Sequence, residues 1–388
     1  MFKNGARAVG LLLGVMASWV AAVSGPATAA EPIRIGAVLG VTGAVSYIGD
    51  PELKTLEMLV DQLNAKGGLL GRPVKLIAYD DGGDAAAART YTNRLIEGDK
   101  VDAIIGSSTS GASLAILPLA ERGEMPMISL AGAEPIVVPA RKWVFKTPQT
   151  DRMAVVRTFD DMKARGITKI ALLTGADGFG KSGHDIAVDI AAANGMAILL
   201  DEVFFPKDVD MGAQLAKVRT AADVQGVLVI GAGVAPAILT KNYRQLGMTY
   251  PLYHSHGVAS QSFIDMAGEA AEGVRLPAPA LLVAGDLSPS DPQREVALGY
   301  IRSYQERYGK PPSPFGGYAF DAFNMLAEAI KRANSVDHGK VRDAIEATRS
   351  FAGTGGVFTM SAQDHMGLDA SAFRIAEVRG GVWRLATP

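Results

Sequence analysis

The segment IRIGAVLG at residues 33–40, a stretch carrying Leu53, Leu56, Val60 and Leu63, and then VKLIAYDD at 74–81 decide the fold. Both apolar runs are rich in β-branched residues and nearly continuous, as in strands buried on both faces, and the spacing between them is that of one helix face. Pro51 fits the first turn of this helix, and Gly67 with Gly68 its end. An Ala-rich helix over Ala85 to Glu97 and the strand VDAIIG (101–106) complete a βαβαβ pattern. The alternation continues through a helix near Ser113 to Arg122, the strands PMISL (126–130) and TKIALLT (168–174), a helix after Phe179 and the strand VQGVLVIG (224–231). Strands separated by helices of this length predict an α/β fold with parallel sheets covered on both faces.

With 388 residues, 48% of them hydrophobic and 20% charged, the chain exceeds what one core holds, so two α/β lobes are expected. Thirty-eight Lys and Arg against 40 Asp and Glu give a net charge of -2, which supplies no general electrostatic attraction for nucleic acid or an anionic membrane. Zero cysteines exclude disulfides, thiolate metal sites and cysteine nucleophiles. Lys3 and Arg7 precede an apolar run from about Ala8 to Val23, then Gly25, Pro26 and the small residues ATAA (27–30). This is the pattern of a signal peptide over residues 1–30, cleaved after Ala29 or Ala30, and it predicts an exported, periplasmic protein.

Several short motifs compete for chemistry. GADGFGKS (175–182) satisfies the P-loop pattern, with Lys181 for phosphates and Ser182 for magnesium. The next strand lacks the Asp that would support the metal, so a tight strand-to-helix turn is the better reading. DDGGD (80–84) reads as a loop with Asp84 capping the following helix rather than as a metal array. His254 and His256 in YHSHG are spaced to point the same way on an extended segment, but no third ligand is near in sequence, and no metal or cofactor is expected. IGSSTSGAS (105–113) lacks the Gly of a nucleophile elbow at Ser108; its hydroxyls and helix-terminal N–H groups suit a carboxylate without reaction. Small residues in SLAGAEP (129–135) similarly admit a ligand to the main chain.

Taken together, IRIGAVLGVTGAVSYIGD (33–50), LNAKGGLLGRPVKLIAYDD (63–81), IIGSSTSG, PMISLAGAEP (126–135), FKTPQTD (145–151), DGFGKSG (177–183) and AGEAAEGV (267–274) resemble the class I periplasmic solute-binding proteins of ABC transporters, the leucine/isoleucine/valine-binding type. The resemblance implies two Rossmann-like lobes joined by a three-crossover hinge. It places lobe one at 31–150 plus 282–357 and lobe two at 151–281 plus 358–388. It also implies a non-enzymatic, monomeric receptor that delivers a small molecule to an inner-membrane permease. A sensor subunit feeding a signalling receptor and an exported P-loop hydrolase are the rival readings.

By the same resemblance, Ser110 and the main chain of Ala131, Gly132 and Ala133 hold a ligand carboxylate, with Ser108 beside them and Asp151 at the first crossover. Amino-acid binders of the family set a Glu against the ligand ammonium where this chain has His256, and commonly a Tyr where it has Gly233. Both departures disfavour an α-amino acid, although a branched-chain amino-acid or amide binder remains the alternative. YHSHGVAS (253–260), PFGGYAFDAF (314–323) and SAQDHMGLDASAF (361–373) look like the branch that binds aromatic carboxylates such as benzoate derivatives, aryl-oxo acids and phenylpropenoids. Tyr47, Ile48 and Phe179 are expected to flank the ring. Phe315 and Phe320 are expected to pack in the core, and Tyr318 to contact ligand.

Overall fold

The computed structural model describes residues 1–2 and 31–387, so the leader assigned to residues 1–30 lies almost wholly outside the described residues. The first half alternates β1 (Ile33–Leu39), α1 (Ser46–Ala65), β2 (Val74–Asp80), α2 (Ala85–Asn93), β3 (Ala103–Gly106), α3 (Ser110–Arg122), β4 (Met127–Ser129) and β5 (Val144–Lys146). These strands form one parallel sheet in the order β2-β1-β3-β4-β5. The second half repeats the plan with α4 (Asp151–Ala164), β6 (Lys169–Gly175), α5 (Gly178–Ala191), β7 (Ala197–Phe204), α6 (Gly212–Thr220), β8 (Gly226–Ile230), α7 (Ala235–Gln245), β9 (Leu252–His254), α8 (Gln261–Ala267) and β10 (Arg275–Pro279). Here the parallel order is β7-β6-β8-β9-β10, and the edge is extended by antiparallel β13 (Phe373–Arg379) and β14 (Val382–Leu385).

Between β10 and β13 the chain returns to the first sheet as α9 (Arg294–Tyr308), α10 (Pro314–Ala333) and α11 (His338–Glu346), followed by the hairpin β11 (Phe351–Ala352) and β12 (Val357–Phe358). Tyr300, Phe323, Leu326 and Ile330 share a core with Ile33, Ile35 and Ile104. The second sheet is packed on both faces, one core holding Phe204, Tyr243, Phe263 and Trp383 and the other Phe159, Leu172, Ile186 and Tyr253. Among the described residues, no helix is long and apolar enough to cross a membrane.

Three differences from the sequence reading follow from packing. First, α1 begins at Ser46, a turn earlier than expected, so Pro51 lies inside the helix and Tyr47 and Ile48 ride on its opening turn. Second, Met360, Met366, Leu368 and Ala372 pack in the first core rather than the second. That segment lies along β5, where Lys146 N–H donates to His365 O and His365 Nδ1 stands 2.9 Å from Val144 O, so only 373–385 joins the second sheet. Third, Ser110 sits in the first turn of α3, which starts three residues before Ser113.

The crossovers are tied to one another. The Gln149 amide donates to Gly355 O and Ala372 O, its Oε1 accepts from Tyr318 Oη at 3.0 Å, and Thr147 Oγ1 donates to Tyr318 O at 2.9 Å. In each sheet the strand order reverses direction beside the first strand, between β1 and β3 and between β6 and β8, which opens a crevice at the carboxyl ends of those strands.

Glycine contacts fix how closely these turns are wound. A Cβ at Gly180 would stand 1.9 Å from Gly175 O, a backbone atom that has no room to yield. Gly299, on α9, meets nothing closer than the Arg302 guanidinium at 3.8 Å. Gly180→Ala is therefore expected to lower unfolding stability by roughly 2 kcal/mol or more, and Gly299→Ala to raise it by about 0.5–1 kcal/mol through helix propensity. Urea unfolding of the two variants beside the parent chain checks both signs.

Candidate functional site

The two crevices face each other and enclose a cavity of about 430 Å³, a size suited to a small molecule. One wall comes from α1, the β3–α3 turn and the segment after β4; the other comes from the β6–α5 turn, the β8–α7 turn and the segment after β9. The walls touch at their rims. Tyr47 Oη donates to Gly257 O at 3.0 Å and accepts from Gly233 N–H at 2.7 Å, and a Cβ on Gly178 would lie 3.0 Å from Gly111.

Nine residues expected at a ligand line the cavity: Ile48, Ser108, Ser110, Ala131, Gly132, Phe179, Gly233, His256 and Tyr318. Tyr47, Ala133 and Asp151 are not among the lining residues. Tyr47 is spent on the clasp described above, with its ring edge-on to Phe315 at 5.5 Å. Ala133 N–H donates to Ser110 Oγ at 3.2 Å, and Asp151 Oδ1 accepts from the N–H groups of Glu134 and Arg152. Phe315, expected only in the core, also lines the cavity. Pro148, Asp177 and Gly257 join the lining although their sequence neighbourhood gave no separate signal for contact.

Not every hydroxyl and N–H at this wall is available. Ser108 Oγ donates to the buried Glu52 carboxyl and accepts from Gly40 N–H, and burial pushes the Glu52 carboxyl well above its ordinary range. Ala131 N–H is taken by Ser129 Oγ. What remains is the Ser110 hydroxyl proton, since Ser110 Oγ only accepts from Ala133, together with the N–H groups of Ser110, Gly111 and Gly132, which have no acceptor among the described residues. Two of these belong to the opening turn of α3, whose dipole favours an anion. Four donors at this wall remain free, an arrangement able to donate hydrogen bonds to an anionic or carbonyl oxygen.

Opposite stands His256, buried, with both ring nitrogens unpartnered among the described residues. Phe179 meets its ring edge-on at 5.2 Å, and Phe373 packs at the same centroid distance. Burial, assisted by the nearby Lys146 ammonium, pushes the imidazole down to about 3, so it is neutral at physiological pH and offers one donor and one acceptor. Gly132 makes this approach possible, because a Cβ there would sit 2.7 Å from His256 Nε2 and 3.0 Å from Phe179. The lining carboxylates, Asp84 and Asp177, cap α2 and α5 by accepting from Ala86, Ala87, Phe179 and Gly180 N–H.

The nucleotide and metal alternatives lose their key groups. Lys181 is on the exposed face of α5, paired with Asp185 at 2.8 Å, and does not line the cavity. His254 turns away from His256 into the lobe, where its Nε2 meets Thr240 Oγ1 at 3.0 Å. Burial pushes His254 down to about 3. The unfolded chain takes a proton here below about pH 6.5 and the folded chain refuses it, so stability is lost as pH falls. Unfolding free energies from urea titrations between pH 7 and 5 are expected to drop by up to about 1.4 kcal/mol per pH unit from this ring, and His254→Gln is expected to flatten that slope.

A family model described as periplasmic binding protein matches residues 32–381. The leucine-, isoleucine-, valine-, threonine- and alanine-binding protein of Pseudomonas aeruginosa is 25% identical over 359 residues, covering 91% of this chain and 92% of that protein. An extracellular ligand-binding receptor from Rhodopseudomonas palustris superposes with a TM-score of 0.86 at 26% identity, covering 92% of this chain and 100% of that one. A solute-binding protein of an R. palustris ABC transporter, in complex with benzoate, gives a TM-score of 0.79 at 24% identity over 92% of this chain and 97% of that one.

Proposed function

The chain belongs to the periplasmic binding protein family, receptors of ABC-transporter type and not enzymes, and from that premise we propose that its cleft captures a small aromatic carboxylate. The observation that carries this reading is the charge pattern of the lining. Opposite the carboxylate cradle of Ser110, Gly111 and Gly132 the wall presents the neutral ring of His256, and the lining acid on that wall, Asp177, is held at the opening of α5, where its Oδ1 accepts from Phe179 and Gly180 N–H. An α-amino acid would set its ammonium against a neutral imidazole at His256, which is a poorer partner for a cation than a carboxylate. An aromatic acid instead places its ring among Ile48, Phe179, Phe315 and Tyr318, where edge and face contacts supply affinity. A ring hydroxyl or oxo group would engage His256.

The fold itself does not choose the ligand, since relatives named for branched-chain amino acids and a neighbour holding benzoate share it. In this reading the protein acts as a monomer in the periplasm. It closes about the crossovers near Gln149, and ligand stabilises closure by contacting both walls at once, to the extent that it binds the closed form better than the open one. The closed form then presents the ligand to an inner-membrane permease.

A thermal-shift panel of benzoate-type acids, leucine, isoleucine, valine and ATP tests the reading. A ligand at 100 times its Kd adds about 2.7 kcal/mol, and the rise is expected with the aromatic acids alone. A rise with the aliphatic amino acids instead would overturn it. By calorimetry, Ser110→Ala is expected to weaken aromatic-acid binding by roughly 1–3 kcal/mol, because it removes a hydrogen bond to a charged group; unchanged affinity would remove Ser110 from the cradle.

A further inference from the structure

Tyr47 stands in the opening turn of α1 and does not line the cavity. Its hydroxyl makes two hydrogen bonds at once: the proton goes to Gly257 O at 3.0 Å, and a lone pair accepts from Gly233 N–H at 2.7 Å. Both partners are main-chain atoms of the opposite wall, in two separate turns, one between β8 and α7 and one after β9. Phe315 meets the ring edge-on at 5.5 Å and aims the hydroxyl across the gap. With its proton given to one turn and a lone pair to the other, the hydroxyl spans the cleft through protein atoms alone.

The other hydrogen bonds and ion pairs between the two halves, among the described residues, lie beside the crossovers, as with Arg152 and Glu134, Arg374 and Asp291, and Arg384 and Asp286. Tyr47 is placed differently. In the first sheet β3 and β4 stand between β1, which leads into α1, and β5, which leads to the first crossover; in the second sheet β9 stands between β8 and β10. The clasp therefore acts away from the hinge, where a given rotation separates the walls further, and opening must break both of its bonds together. Gly233 holds a φ of +85°, a conformation that suits glycine, and the turn so formed presents its N–H to Tyr47.

We propose that Tyr47 is a positioning residue, a latch that holds the two walls together through bonds in which no ligand takes part. It sets how much of the protein is closed, and so how tightly every cleft ligand is held, without choosing among ligands. This role goes beyond the aromatic-acid reading and does not rest on it.

The sequence has no cysteine, so Arg89→Cys on α2 and Arg219→Cys on α6, both at exposed positions, give one fluorophore attachment point on each half of the whole protein. Single-molecule energy transfer without ligand is expected to show a closed population in the parent. Tyr47→Phe, which keeps the ring and removes the hydroxyl, is expected to lower the closed-to-open ratio about tenfold, because water replaces only part of two hydrogen bonds. Apparent affinity follows the closed fraction, so calorimetry is expected to show benzoate and 4-hydroxybenzoate weakened by the same factor, up to about tenfold. A ring contact from Tyr47 would shift the two acids unequally.

An unchanged closed-to-open ratio in Tyr47→Phe, or no closed population in the parent, overturns the latch. Unequal weakening of the two acids also overturns it, by making Tyr47 a ligand contact. Binding of isoleucine and of neither acid overturns the aromatic reading alone, since the distance comparison needs no ligand and still decides the latch. If Tyr47→Phe does not fold, hydrogen exchange at Gly233 N–H in the parent decides: protection supports the latch, and exchange at the free-peptide rate overturns it.

Discussion

The cavity exists because main chain meets main chain across it. The α5 turn approaches α3 so closely that a Cβ on Gly178 would lie 3.0 Å from Gly111, and the segment after β4 admits the rings of His256 and Phe179 only because Gly132 has no side chain. Within the second wall Gly257 is packed as closely, since a Cβ there would be 2.4 Å from Gly231 O and 2.7 Å from Phe179. The Gly178 and Gly132 approaches set the distance between the two walls, and that distance decides whether one small molecule can touch both. The Tyr47 clasp to Gly233 and Gly257 spans the same gap at its rim.

Charge then determines what such a cleft accepts. Helix capping takes one oxygen of each lining acid, burial keeps His256 neutral, and Glu52 is pushed toward its neutral form behind Ser108. At the Gly132 end stand the Lys146 ammonium and the opening turn of α3, although the whole chain carries a net charge of only -2. Overall charge is set by solvated side chains that water screens, while a buried cation acts at close range in a medium of low dielectric. Composition thus gave no warning of the field inside the cleft.

Much of the site was legible because strand-to-helix turns leave a plain mark. Glycines and serines directly after β-branched runs marked the turns that bring Ser110, Gly132 and Phe179 to the lining, and Asp84 caps α2 as its position before an Ala-rich run indicates. Other residues misled for a physical reason. Ser108 resembles a ligand group, but its hydroxyl is spent on Glu52, which lies 56 positions away in sequence. Tyr47 follows a Gly-containing loop and reads as a ring stacker, yet starting α1 at Ser46 turns its hydroxyl across the gap. Phe315 sits on a helix with core periodicity, and its end-of-helix position exposes it to the cavity as well.

Sequence by itself determined the α/β class and the repeated parallel sheets, because apolar periodicity and turn chemistry are local and survive without knowledge of what packs where. Tertiary structure alone decided which donors remain unpaired, that residues 360–372 lie along the first sheet, and that the Lys146 ammonium donates to Gly132 O. Those properties depend on partners brought from distant parts of the chain and on the water they exclude. No window of sequence contains either.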